Sequence, residues 1–401
     1  MLSHLRSKDQ NESIDSVSAD NSGDGSLRLP ALRYCCLMTS LTQRQYILGI
    51  TVAILAAVYA ALPTLMAALL KHMFTAPNQV PWTGGGHLRL IDIDGMPAQA
   101  LYSVERAHEL VSSSFQHKQG DVWVASYVKS GTTWTIGILA ALVGHPAAEY
   151  AGNLQKVTRL FCPQPELPDL GFGDDGFGHS MEQLNDWSGM DIGRNNRNYR
   201  CFKSHWPSKD HVVSNGKSKF IYVLRNAQDQ LISHWNQVYG MGFHYGTEDM
   251  TFEGGWDDFV QDWLDGNVEN GSYFDHVASW FKRVDEPDVL LVRFEELKRN
   301  PSRVIEQIAA FIGMDDVTPT KIQNVMDLTS FDRMKLADEQ DMGLRFMRWL
   351  GVLRRAHVRQ GEVGSADGSR LTFSTEQLAA LESLYKEKLQ PLGVPREWII
   401  L

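Results

Sequence analysis

Lys129, Ser130, Gly131, Thr132 and Thr133 stand together between two apolar runs, DVWVAS and ILAALV. The first run has the length and side chains of a buried strand, and Trp134 to Val143 has those of the helix after it. The N–H groups that open a helix lack intrahelical partners, and the helix dipole is positive there. Gly131 lets the backbone approach a ligand closely, Lys129 adds a full charge, and the three hydroxyls add donors. The set describes an anion cradle. A strand-to-helix turn with an ordinary Ser/Thr cap is the plainer alternative; the adjacent Lys and Gly favour the cradle. The ATP-type loop, G-x-x-x-x-G-K-[ST], places its Lys after a second Gly. Here Lys comes first, one Gly is present, and no strand ends in an Asp placed to hold Mg²⁺. The expectation is a metal-free anion site.

A second constellation lies in CFKSH, where Lys203 and His205 are two residues apart. On a strand they share a face, roughly 7 Å apart. Histidine can take a proton near neutral pH, and lysine can stabilise developing negative charge. A single histidine is more often a surface or core residue, but Lys203 and a strand-end position favour chemistry. A third run, KFIYVLRN, ends near Arg225, with Ser233 eight residues on. An Arg fork and a hydroxyl suit a second phosphate; a salt-bridged Arg and a buried Ser are the alternative.

The elements that must position these groups alternate. Strands are expected at DVWVAS, Tyr199 to Trp206, Lys219 to Asn226 and Asp288 to Leu297. Helices follow, one opening at Asn300-Pro301 with Val304, Ile305, Ile308, Phe311 and Ile312 on one face. Ser374 and Gln377 form a capping box for a late helix carrying Leu378, Leu381, Tyr385 and Leu389. Such alternation implies an α/β fold, P-loop-like and three-layered, with a central parallel sheet flanked by helices. In such sheets ligands sit at the carboxyl ends of the strands, where all these groups fall.

The 401 residues, 43% hydrophobic and 21% charged, suffice for one large domain or two ordinary ones. A net charge of −10 argues against a general nucleic-acid binder. The four cysteines, Cys35, Cys36, Cys162 and Cys201, show no C-x-x-C spacing, which argues against a disulfide scaffold or a zinc site. Residues 1–45 read as a disordered tail, 46–71 as a transmembrane helix and 72–100 as a linker. The span from 46 to 70 has no charged residue and as a helix would run roughly 37 Å, against a ~30 Å hydrocarbon core. A single-pass membrane location is expected, with a cytoplasmic protein as the alternative. Arg28, Arg33 and Arg44 before the span favour a cytoplasmic N-terminus.

Taken together, these segments resemble the cytosolic-type sulfotransferase family. Its members move a sulfuryl group from 3′-phosphoadenosine 5′-phosphosulfate (PAPS) to a hydroxyl or amine. YVKSGTTW is similar to the family's 5′-phosphosulfate loop, VLRNAQDQLISHW to its 3′-phosphate segment, and FKSHWP to the segment bearing its catalytic histidine. NGSYFDHVASWF, LVRFEELKRNP and TSFDRMK also fall in order, so 101–401 is expected to be a sulfotransferase domain. The resemblance implies that Lys129, Ser130, Gly131, Thr132, Thr133 and Trp134 hold the 5′-phosphosulfate and adenine side. Arg225 and Ser233 would hold the 3′-phosphate, Thr329, Phe331 and Phe294 would line the adenine, and Arg359, Gln360 and Gly361 would close on the 3′-phosphate. Val128 stands where the family has Pro. Gln360 stands where it has Lys, a lost charge worth on the order of 1–3 kcal/mol.

The expected chemistry is in-line, metal-free sulfuryl transfer with His205 as general base and Lys129 and Lys203 neutralising charge. The expected acceptor is a small, hydrophobic alcohol, phenol or sterol, walled by Trp206, Trp235, Tyr239, Phe243 and Tyr245; a carbohydrate is the other option. Two further readings are a P-loop-like small-molecule kinase and a non-catalytic, membrane-tethered nucleotide binder.

Overall fold

A computed structural model describes residues 83–86, 91–93, 96–98, 109–110, 114–166, 179–187, 200–208, 216–240, 254–315, 317–342 and 371–401, together with isolated positions including several between 48 and 65. Arg359, Gln360, Gly361, Phe243, Tyr245, the tail over 1–45 and most of 46–71 lie outside the described residues. The chain divides into two units, residues 1–61 and 62–401.

In the first unit, the described positions, among them Leu48, Ile50, Val52, Ile54 and Val58, are helical and exposed. Among the described residues no helix is long and apolar enough to cross a membrane. Spanning takes about 20 consecutive apolar residues. Among the described residues the longest helices run 14 residues and belong to the second unit. The span expected over 46–71, most of which lies outside the described residues, finds no support among the described helices.

The second unit contains a short antiparallel hairpin, β1 (Ile91–Ile93) and β2 (Met96–Ala98), inside the stretch expected to be a linker. Ile93 and Ala98 are buried, and Asn270 N–H donates to the Pro97 carbonyl.

The main sheet holds β3 (Val122–Ser126), β4 (Cys201–Ser204), β5 (Lys219–Leu224) and β6 (Val289–Arg293). Its order is β4-β3-β5-β6, and every pairing is parallel. The helices are α1 (Thr132–Val143), α2 (Leu154–Leu160), α3 (Met181–Asp186), α4 (Ala227–Gly240), α5 (Trp256–Asp265) and α6 (Tyr273–Phe281). They continue with α7 (Phe294–Arg299), α8 (Pro301–Ile312), α9 (Pro319–Leu328), α10 (Phe331–Gln340) and α11 (Thr375–Lys388).

Strand periodicity explains the layers. Val122, Val124, Ile221 and Val223 pack with α1 and α8 residues such as Ile136, Leu139, Ile305 and Ile308. The alternate residues Trp123, Ala125, Phe220, Tyr222 and Leu224 pack with Leu231, Trp263, Phe274, Trp280 and Leu381 on the other face. Side chains one apart on a strand point to opposite faces, so these near-continuous apolar runs serve two cores. The α/β three-layer architecture expected from the sequence is the one observed.

Local signals are largely realised. The Ser374–Gln377 capping box forms, and Leu381, Tyr385 and Leu389 are buried. Leu378 is instead 41% exposed. Asn300 stands at the N-cap of α8 without a side-chain cap bond, and its side-chain amide donates to Glu296 Oε1 at 2.7 Å. The strand expected over Asp288 to Leu297 ends at Arg293, and Phe294 already opens α7.

The cysteine expectation needs one correction. Cys162 and Cys201 form a disulfide, with their Cα atoms 4.6 Å apart. Thirty-nine positions separate them in sequence, so only the fold brings them together.

Candidate active site

All four strands of the main sheet deliver a residue to its carboxyl edge. β3 leads through Tyr127–Ser130 into α1, β4 into His205, β5 into Arg225 and β6 into Phe294. Because β4 and β5 flank β3 on opposite sides, the chain reverses direction across the sheet at β3, where a crevice is expected.

The loop after β3 has its carbonyls tied away from the helix start. Val128 O accepts from Gln230 Nε2 at 2.9 Å, and Lys129 O accepts from Arg225 Nη1 at 3.2 Å. Gln230 is itself oriented by Trp263 Nε1 donating to its Oε1 at 2.9 Å. Lys129 adopts a positive φ of 63°, which costs of order 1–3 kcal/mol for a residue with a side chain. Gly131 is the N-cap of α1 at φ 112° and has no side-chain cap bond. The opening N–H groups of α1 are thus left without a capping side chain, the donor set an anionic group requires.

Ser126 joins this cradle to the next strand. Its hydroxyl lies 2.6 Å from Thr132 Oγ1 and 3.5 Å from His205 Nδ1, and its carbonyl lies 2.9 Å from that same nitrogen. A carbonyl only accepts, so Nδ1 carries the proton and Nε2 is the basic nitrogen. Burial, followed by the Lys203 charge, holds the His205 pKa well below its usual value, and the ring is neutral at pH 7.

Lys203 lies on β4, buried, with Nζ donating to Gln164 Oε1 at 2.8 Å. Burial lowers its pKa to about 8 against the opposing pull of Glu166 and Glu269. Lys129 is lowered to about 7 by burial, then by Arg225 and Lys203. Burial disfavours the charged form of both lysines, and an anionic group bound near them would favour it. Among the described residues no group of three His, Cys, Asp or Glu side chains is placed to hold a metal ion.

Phe294 packs against the cradle. The Arg225 guanidinium lies over its ring at 4.5 Å, and Trp134 meets it edge-on at 5.7 Å. Ser233 is half-buried on α4. Thr329 is buried, its hydroxyl donating to Val325 O at 2.8 Å. Phe331 opens α10, with Lys298 Nζ 5.8 Å from its ring centre. Trp206 and Trp235 are core residues, whereas Tyr239 is 49% exposed. Three expected pocket walls therefore divide between core and surface.

Several residues at the site carried no sequence signal. Ser126 reads as the last residue of an apolar strand, and Gln164, Glu166 and Glu269 belong to no recognisable spacing. Both Glu166 oxygens are buried without a hydrogen bond of normal geometry. Burial raises its pKa to about 7, although the Ser204 hydroxyl and the His205 amide lie close enough to favour its charged form.

Residues 119–393 match the family model described as the sulfotransferase domain. The chain belongs to the sulfotransferase family. Among curated sulfotransferases, it is 27% identical to sulfotransferase 1B1 of Mus musculus over 277 residues, covering 69% of this chain and 84% of that one. It is 27% identical to sulfotransferase 1C2 of Rattus norvegicus over 308 residues, covering 75% and 93%. Two solved structures share the fold. A mouse sulfotransferase complexed with PAP, the desulfated cofactor, superposes with a TM-score of 0.54 at 23% identity, covering 75% of this chain and 94% of that one. Retinol dehydratase in a complex with retinol and PAP gives 0.57 at 18% identity, covering 82% and 96%. This sulfotransferase is therefore an α/β enzyme of the PAPS-dependent transferase class.

Proposed function

We propose that this sulfotransferase transfers a sulfuryl group from PAPS to a hydroxyl or amine of a small acceptor, with His205 as general base. The observation that supports it best is the fixed tautomer of His205, with Nδ1–H on Ser126 O at 2.9 Å, beside the uncapped start of α1.

PAPS, when bound, supplies the sulfuryl group on a phosphate leaving group. Lys129, Ser130, Gly131, Thr132 and Thr133 would hold its 5′ end through backbone N–H groups, hydroxyls and one cation. Arg225 and Ser233 would hold the 3′-phosphate, and Trp134, Phe294, Thr329 and Phe331 the base. The fit rests on the uncapped helix start, the carbonyls tied away from it and the two lysines of depressed pKa.

His205 Nε2 takes the acceptor proton as the new O–S or N–S bond forms and the bond from sulfur to the phosphate oxygen breaks. Lys203 and Lys129 stabilise the negative charge that grows on the transferring and leaving oxygens. Positioning and electrostatics then supply most of the acceleration. A hydrophobic acceptor is the favoured class. The charge-free run over 46–70 is the remaining ground for proposing membrane association, with a cytoplasmic placement as the alternative.

Assaying the full chain with PAPS against phenols, alcohols, amines and sugars tests this. His205→Ala should lower kcat by about 10²–10⁴-fold while PAP still binds. Undiminished transfer by that variant would sink the base assignment.

A further inference from the structure

Three groups on α6 grip the chain where it leaves β4. His276 Nε2 lies 3.1 Å from the His205 carbonyl, Trp280 Nε1 donates to the Trp206 carbonyl at 3.1 Å, and Ser279 Oγ accepts from Ser208 N–H at 2.9 Å. His276 and Trp280 are one helical turn apart and so present both ring N–H groups along one face. A further contact orients His276 itself, with Tyr222 Oη 3.2 Å from its Nδ1.

The proton positions follow from the partners. The His205 carbonyl only accepts, so His276 Nε2 must carry hydrogen. Its Nδ1 is then an acceptor, filled by the Tyr222 hydroxyl. Burial keeps this arrangement in one state: it lowers the His276 pKa to about 3 and raises that of the Tyr222 phenol far above its usual range. Neither group titrates near neutrality, so neither is suited to move protons in the reaction.

We infer that His276 is a positioning residue for sulfuryl transfer, its Nε2–H fixing the His205 peptide so that the His205 ring keeps its bond to Ser126 and its Nε2 stays aimed into the crevice. Tyr222 selects the His276 tautomer that can do this. The inference rests on His205 being the base. His205 is held at two points by two different elements: its ring by β3, through Ser126, and its carbonyl by α6. Removing the second hold leaves a ring that can turn about its own backbone.

The test uses the full chain with PAPS and a phenol acceptor at saturation. His276→Phe keeps a ring and deletes the donor, whereas His276→Gln places an amide N–H near the lost one. His276→Phe is expected to lower kcat about 10- to 100-fold, leaving the calorimetric Kd for PAP within about twofold. His276→Gln should recover most of the loss. Tyr222→Phe, which permits the wrong tautomer, should lower kcat in the same direction and carries the test if His276→Phe does not fold. In a His205→Ala background neither substitution should lower the residual rate further, because they act through that ring.

The inference is overturned if His276→Phe, or Tyr222→Phe in its place, keeps kcat within about twofold of the parent. It is equally overturned if the loss persists at full size without His205, or if PAP binding falls in parallel with kcat. A fully active His205→Ala overturns the base reading instead, a result that is distinguishable from these.

Discussion

The ring of Phe294 occupies the space a side chain at position 131 would need. A Cβ built on Gly131 would sit 2.7 Å from Phe294 Cδ2, and the φ of 112° there is one that residues with side chains rarely adopt. The Arg225 guanidinium lies over the same ring, 4.5 Å from its centre. Cradle, Arg225 and the start of α7 are thus one packed unit, and a change at any of them is felt at the others.

Gly131→Ala therefore meets two separate penalties, a clash and a backbone strain, together about 2–4 kcal/mol. Denaturant unfolding should show that loss, and PAP affinity should fall with it. Pairing it with Phe294→Leu should relieve the clash and leave the strain. The double variant is then more stable than the sum of the single losses predicts, and strict additivity would count against the shared packing.

Binding of an anion should draw in protons. Lys129 and Lys203 have pKa values near 7 and 8 because burial disfavours their charged forms. A bound phosphate or sulfuryl group favours the charged forms and raises both values. At about pH 8 the complex should take up about one proton, and at about pH 6, where both lysines are already charged, almost none. Calorimetry of PAP binding in two buffers of different ionisation enthalpy measures this directly. Lys129→Met should remove a large part of the uptake.

Glu166 should make stability fall with pH over a defined window. Its folded pKa of about 7 is raised from 4.5, so the native state holds the proton more tightly than the unfolded chain does. Its contribution is complete below about pH 4.5 and is lost as pH rises through about 7, a change of about 3 kcal/mol. Glu166→Gln has no proton to lose. The difference in melting temperature between about pH 5 and pH 8 should accordingly be smaller in that variant than in the parent. Equal differences would mean that the carboxylate is better satisfied than its geometry implies.

The Cys162–Cys201 bond closes a loop spanning 39 residues, and closure of that size restricts the unfolded chain by about 4 kcal/mol. A reductant should lower the melting temperature of the parent and leave a Cys162→Ala/Cys201→Ala variant unmoved. The bond also ties the segment containing Pro163, Gln164 and Glu166 to β4. Pro163 accepts from Lys203 N–H at 2.9 Å, and Gln164 from the Lys203 ammonium. Lys203→Arg should then lose kcat as well, because a longer, planar cation does not fit the Gln164 contact.

The readings that held were those resting on neighbours in the chain. The strand before Lys129, the helix after it, the Ser374–Gln377 cap and the burial of Leu381 and Tyr385 follow from spacing alone. What spacing leaves open has a common origin. Trp206 and Trp235 have the side chains of a pocket wall, but whether an aromatic faces a cavity or a core depends on what packs over it. Leu378 fits the helical period and still points outward, because the period fixes an angle on the helix and not the width of the buried face. β6 stops at Arg293 although FEEL continues the expected strand, since the chain turns into α7 at the sheet edge.

What the sequence by itself determined is the chemistry available at each strand end: a lysine, glycine and hydroxyls after β3, a lysine and histidine on β4, an arginine after β5. These are short-range facts, legible because a strand followed by a helix places its junction at the sheet's carboxyl edge. The tertiary structure alone decided which nitrogen of His205 is basic, through Ser126 from 79 positions away, and what holds that histidine still, through His276 from 71. Hydrogen bonds between remote segments depend on the three-dimensional path of the chain and leave no period or spacing in the sequence from which to read them.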